Sequence, residues 1–222
     1  MATTKEQEAT LLRAIVVSSS ATWAGRPITA EDRQAAFHVL ADFRQYAGRI
    51  PLCLQWLQET SISLPQDPMP LDCTLSTKLF ACEIVGGDFL KHQYAKLSPE
   101  ERLQVRQAVL VAARFEATSH TREAASAAVL SNKLASLLAA LMIRDFPQRW
   151  TTCLDDLFHM WNAEVPMMGN KICLDVLKWV AEDCTDSDFN TKVGITNVGA
   201  EKCPICYRLS LFLFLDSYET AQ

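Results

Sequence analysis

The segment IRDFPQRWTTCLDDL, Ile143–Leu157, decides how the chain is read. An apolar helical run reaches Phe146, stops at Pro147 and resumes after Trp150 as a second helical run. Pro147 lacks an amide hydrogen and fixes φ, so the first helix has to kink or end near Phe146. Trp150 is large and apolar with a single N–H donor, suited to sealing the corner where two antiparallel helices meet. On this reading Phe146 and Trp150 close a helical hairpin. One inner face is the stripe Leu130, Leu134, Leu137, Leu138 and Leu141; the other is Leu154, Leu157, Phe158 and Trp161. The alternative for Trp150 is stacking against a ligand.

Helical periodicity extends outward in both directions. Ala36, Val39, Leu40, Phe43 and Ala47 fall on one helical stripe, and Thr29 with Asp32 makes a capping-box pattern just before it. Leu54 and Leu57 mark a short helix after Pro51. Leu75, Leu79, Cys82, Gly86 and Phe89 form a longer stripe. Ser98, Pro99 and Glu101 supply an N-cap, a first-turn proline and an N3 glutamate, opening a helix expected to run to about Phe115. Cys173, Val176, Leu177, Val180 and Cys184 make a further stripe. No segment alternates with period two, so no sheet is expected. Grouped in pairs, the helices start near Thr29 and Pro51, Leu71 and Ser98, Ala124 and Trp150, then Gly169. The first members are spaced by roughly 40–50 residues, close to the period of HEAT or armadillo repeats.

Composition removes several classes of function. The chain has 222 residues, about half of them apolar, with only seven glycines and nine prolines, which argues against disorder. A net charge of −5 speaks against a general nucleic-acid binder. The longest late apolar run, Leu209–Leu215, is far below the ~18 residues of a membrane span, and no membrane role is expected. Most of the eight cysteines sit inside apolar helical patterns, where a reduced thiol behaves as a small hydrophobe. Cys203 and Cys206 form a C-x-x-C, but no second close pair completes a zinc site and no βαβ context suggests redox chemistry. His38, His92, His120 and His159 are scattered. No P-loop, nucleophile elbow or dinucleotide fingerprint occurs. Asp155-Asp156 and Glu182-Asp183 are adjacent in sequence, so they point about 100° apart on a helix and form no evident acid/base couple. No enzyme activity, cofactor or metal is expected.

NKLASLLAALMIRDFPQRWTTCLDDLF (Asn132–Phe158) resembles the third HEAT repeat of nuclear exportins of the karyopherin-β superfamily. There a helix ending in a basic residue, an acidic residue and aromatic-Pro-Gln-x-Trp turns into the next helix. The similarity is closest to the exportin-five type. LDVLKWVAEDCTDSDFN (Leu174–Asn190) is similar to that type's following helix. EDRQAAFHVLADFRQYAGRIPLCLQWL (Glu31–Leu57) is similar to the first repeat, and LFACEIVGGDF (Leu79–Phe89) to the start of the second. The resemblance implies an all-α, right-handed α-α superhelix: a HEAT/armadillo-like solenoid fragment of about three and a half repeats. Residues 1–28 are then an N-terminal helix and lead-in, 29–190 the exportin/importin-β-like repeats, and 191–222 an atypical tail. Val193 onward is expected to derive from a mis-spliced or mis-assigned exon, a truncated product being the alternative.

The resemblance also implies a function. Such exportins bind Ran in its GTP form cooperatively with cargo, and shuttle between nucleus and cytoplasm. The exportin-five type carries structured RNA such as pre-microRNA or tRNA, and RNA-bound proteins. Phenylalanine–glycine nucleoporins contact first helices on the convex side, while second helices line the concave side and face Ran. Carried onto this sequence, the Ran-facing candidates are Gln55, Gln58, Glu59, Arg102, Arg106, Asp155, Asp156 and His159. The lysines and arginines are dispersed, with no aromatic-interleaved stripe to grip RNA. RNA contacts are therefore expected mostly from later repeats of an intact protein. A monomer is expected. Two other readings stay open: another karyopherin or a HEAT scaffold without RNA cargo, and an unrelated helical enzyme.

Overall fold

A computed structural model describes residues 5–23, 25–64, 70–118, 124–146, 148–161 and 166–185; the side chains of 124–127, 161, 166–169 and 183–185 lie outside that description. Pro147, His120, Cys203, Cys206 and the whole tail 191–222 are outside the described residues, and Trp161 and Cys184 are described in backbone only.

The helices begin where local chemistry sets them. Helix α1 spans Lys5–Ser19 and α2 Ala30–Gln45. At the start of α2 the Thr29 hydroxyl accepts from the Asp32 amide, and the Asp32 carboxylate accepts from the Thr29 amide at 2.9 Å, the capping box read from sequence. Helix α3 spans Arg49–Gln58, with Pro51 in its first turn, where a missing amide hydrogen costs nothing. Helix α4 spans Thr74–Ile84, α5 Pro99–Thr118, α6 Ala124–Asp145, α7 Cys153–Trp161 and α8 Pro166–Thr185. Ser98 and Glu101 close the second capping box, at α5.

Two features depart from the sequence reading. The stripe expected to run through Gly86 to Phe89 is not one α-helix: from Val85 to Gln93 the turns widen, and Gly87 has a non-helical ψ of −128°. The adjacent glycines Gly86 and Gly87 supply the weak point. A tight 3₁₀ turn, Tyr94–Lys96, follows. There are also two minimal antiparallel pairings, β1 (Thr22–Trp23) with β2 (Arg26–Pro27), and β3 (Ser63–Leu64) with β4 (Leu71–Asp72). Gly25, at φ +74°, makes the first turn possible. The second clamps the start of α4: the Cys73 amide donates to the Ile62 carbonyl at 2.9 Å and the Ile62 amide to the Thr74 hydroxyl at 2.7 Å. Two-residue strands leave no periodic signature to read.

The helices stack in two layers. In one, α2 packs on α1, α1 on α4, α4 on α6 and α6 on α8; in the other, α3 packs on α5 and α5 on α7. Cross-layer contacts join α3 to α4, α5 to α6 and α7 to α8. This is the all-α, HEAT-like solenoid arrangement expected, with a main core from Leu11 to Val180 and a small satellite of Ala14, Val17 and Ala36 between α1 and α2. Helix α1 is part of that core. Its Leu11, Leu12, Ile15 and Val16 are buried, and Trp56 of α3 donates its indole N–H to Glu8 at 3.0 Å.

The bend after α6 carries the tightest polar packing. Phe146 and Trp150 are each 5% exposed. The carbonyl of Asp145 accepts from the amides of Arg149 and Trp150, at 2.7 and 3.0 Å. The Asp145 carboxylate, wholly buried, accepts from the Tyr94 hydroxyl at 2.5 Å and from Arg106 at 3.1 Å. Arg106 also donates to the Arg149 carbonyl at 2.6 Å, and its guanidinium lies 5.5 Å from the Trp150 ring centroid. The Trp150 indole N–H donates to Asp156 at 2.8 Å, and the Thr152 hydroxyl to the same carboxylate oxygen at 3.1 Å. Trp150 therefore plugs the corner between α6 and α7, but the two helices do not pack face to face as the hairpin read from sequence requires: α6 packs chiefly on α8, α5 and α4, and α7 rests on α8, with α5 also meeting α8. Leu157 is buried and Leu154 and Phe158 half-buried along α7.

Asp145→Ala strands the buried Arg106 and Tyr94 donors, and Trp150→Ala opens the corner; each is expected to lower unfolding free energy by about 3–5 kcal/mol in urea titrations. Because both changes disrupt one network, the double variant is expected to lose less than the sum. Hydrogen bonding from the Thr29 amide and Arg26 holds the Asp32 carboxyl at about 2. Its folded value lies below the unfolded one, so the stabilisation is present above the usual carboxylate range and is lost as pH falls through about 2; carboxyl NMR titration reads that midpoint. Burial pushes the thiols of Cys53, Cys82, Cys153 and Cys173 up to about 12. At pH 7.5 these four are expected to resist iodoacetamide in the native protein and to react in urea, read by peptide mass spectrometry.

Candidate protein-binding faces

The candidate residues lie on helices of the α3–α5–α7 layer, and the structure separates them into three groups. Gln55 and Gln58 are exposed and Glu59 half-buried at the end of α3. The Gln55 side-chain amide donates to Glu59 at 2.9 Å, and the Gln58 amide to the Leu54 carbonyl at 3.1 Å, so all three are held by local bonds on one side of α3. They form one wall of an open groove of about 620 Å³ between α3 and α5. The far wall comes from Glu101 and Gln104 of α5, and Phe89 and Gln93 from the segment between α4 and α5 line it as well. Leu54 and Leu97 are half-buried, and Ile50 and Val105 buried, giving the groove an apolar floor.

On α7, Asp155 and His159 are exposed one turn apart. Asp156 beside them is half-buried, accepts from Trp150 and Thr152, and lies 3.8 Å from the Arg114 guanidinium. Its carboxylate is turned into the bend rather than presented outward.

The arginines of α5 differ from their expected placement. Arg106 was expected on the outward face, yet it is 9% exposed and directed into the core between α5 and the α6–α7 bend. The cause is Asp145, thirty-nine positions away in sequence, which recruits the guanidinium inward. Arg102 is half-buried and donates to the Ala95 carbonyl at 2.6 Å and the Tyr94 carbonyl at 3.3 Å, fixing the 3₁₀ turn. Gln93 and Gln104 escaped the sequence reading, and Glu101 was read only as a capping residue. Polar residues on a solvent strip carry no signal until the facing helix is placed.

A second, larger groove lies on the opposite layer, between α1, α4 and α6. Trp23, Leu75, Leu79 and Phe80 supply apolar surface, and Asp72, Glu83 and Lys133 line its polar part. Glu83 is bound at 2.5 Å by Arg44 of α2. Leu103 and Val111 on α5, and Leu174 and Trp179 on α8, are apolar side chains left 41–49% exposed.

Among the described residues no three His, Cys, Asp or Glu side chains cluster as metal ligands, and no helix is long and apolar enough to cross a membrane.

Comparison with known proteins places the bend in context. Neither the curated proteins nor the solved structures contain a match to the chain. Residues 127–197 match the family model described as exportin 1-like protein. That interval holds most of α6, the Trp150 bend, α7 and α8, and it continues to position 197, past Asn190. The match supports an exportin- or karyopherin-type HEAT region over these residues, and the family is one of transport receptors rather than enzymes.

Proposed function

We propose that this chain forms the amino-terminal repeats of a nuclear export receptor that binds Ran in its GTP form. The observation that carries the reading is the coincidence of the exportin 1-like match with the α6–α8 unit, whose Trp150 corner first suggested the family. Ran would meet the exposed face of the α3–α5–α7 layer through Gln55, Gln58, Glu59, Asp155 and His159, with Arg102 at its edge. Arg106 and Asp156 would act through the bend instead, by fixing how α5 meets α7. Phenylalanine–glycine nucleoporins would use the apolar groove between α1, α4 and α6 on the other layer. The receptor would shuttle between nucleus and cytoplasm.

Stacked repeats that touch mainly their neighbours can change curvature as a body. Two ligands that favour the same curvature then raise each other's affinity, typically by about 5–150-fold. Structured RNA, such as pre-microRNA or tRNA, would be the cargo of the intact receptor. Several cations of this chain are already engaged within it. Arg106 is buried, Arg44 pairs with Glu83, and Lys171 pairs with Asp175 at 2.5 Å. Phosphate contacts would come from later repeats.

The test is capture of purified Ran by the immobilised 222-residue chain. Ran loaded with a non-hydrolysable GTP analogue is expected to bind about tenfold or more above the GDP form, a difference of about 1.4 kcal/mol. Equal capture of both forms removes the export reading. Capture of the GTP form that a hairpin RNA never strengthens, in a longer protein carrying further repeats, favours a karyopherin with another cargo.

A further inference from the structure

We infer that the groove between α3 and α5 holds an extended segment of a protein partner in which leucine-like and lysine-like residues alternate. The inference rests on the reading of this layer as the partner-binding face, and it specifies what the face recognises.

Three observations carry it. First, the walls hold four glutamines, Gln55, Gln58, Gln93 and Gln104, disposed on both sides of the groove. A primary amide offers two N–H donors and a carbonyl acceptor, so amides facing each other can pair with both the N–H and the C=O groups of a backbone lying between them. An extended backbone has those groups available, whereas a helical one has used them internally. Second, the two charged side chains on the walls, Glu59 and Glu101, are both carboxylates, and none of the lining residues is Lys, Arg or His. The groove is therefore complementary to a cationic segment. Third, the floor is apolar, with Leu54, Leu97 and Val105 beneath the polar walls. Side chains of an extended chain alternate between two faces. One face can rest on the floor while the other carries the cations to the carboxylate rim. The helix surfaces that frame the groove are held by bonds of their own, including Gln55 to Glu59 and the Glu101 capping box, so the site exists before the partner arrives.

The probe is a fluorescein-labelled heptapeptide alternating leucine with lysine, titrated against the full 222-residue chain by fluorescence anisotropy. Its control has every lysine replaced by glutamate. The lysine peptide is expected to bind about tenfold or more tighter than the control. Two variants are used, each checked by its thermal melt: Glu59→Lys, which reverses one rim charge, and Gln104→Trp, which fills the groove from an exposed position. Both are expected to weaken the lysine peptide by about tenfold while leaving the melt in place. Equal binding of the two peptides, or binding that neither variant changes, overturns the inference. Capture of GTP-form Ran without peptide binding sinks the groove but keeps the export reading. Peptide binding that responds to the variants, without Ran capture, keeps the groove and sinks the export reading.

Discussion

Asp145 places a carboxylate where no solvent reaches it, and the middle of the molecule is organised around offsetting that cost. An isolated buried charge is unfavourable by several kcal/mol after relaxation. Here it receives a phenol from Tyr94 and a guanidinium from Arg106, while the same residue's carbonyl accepts two amides of the bend. These partners come from the 3₁₀ turn after α4, from α5, and from the link into α7. One residue thereby fixes the turn after α4, helix α5 and the bend after α6 relative to one another. An all-apolar corner of similar volume could match it in stability, but not in register: each donor reaches the carboxylate from a single direction. Arg106 adds to this by lying over Trp150.

The parts of the fold that were legible in the sequence are those whose cause is local. Thr29 with Asp32 and Ser98 with Glu101 are three residues apart, and both boxes form. The leucine stripe of α6 and the break that ends it are contained within some twenty residues, and the bend is present; that α6 and α7 then pack on α8 rather than on each other depends on a helix further along the chain and carries no local signal. Arg106 shows the opposite case. As a charged residue on a second helix it reads as outward-facing, and only a partner from another helix explains why it turns inward. The groove between α3 and α5 was half legible for the same reason. Gln55, Gln58 and Glu59 could be placed on one outward strip of α3, but the α5 wall needed the packing of two helices across a long gap in sequence. The widened turns after α4 were hidden because glycine pairs within an apolar stripe read equally as small residues at a helix crossing.

Stacking in two layers gives the chain two surfaces of different chemistry. The α3–α5–α7 side presents amides and carboxylates above apolar floors. The α1–α4–α6 side presents aromatic and aliphatic side chains among scattered charges of both signs. Connection between them runs through the core, where Lys78 of α4 lies 4.8 Å from the Phe115 ring of α5.

The place of α1 bears on where this folding unit starts. Helix α1 packs against both α2 and α4, so the first capping box at Thr29 is not the near edge of the domain. A protein trimmed to that residue would lose the buried Leu11, Leu12, Ile15 and Val16 from the core and the acceptor for the Trp56 indole. The leading segment is thus a wedge without which the opening repeat has no second neighbour, and the autonomous unit begins ahead of the repeats that the sequence periodicity marks out.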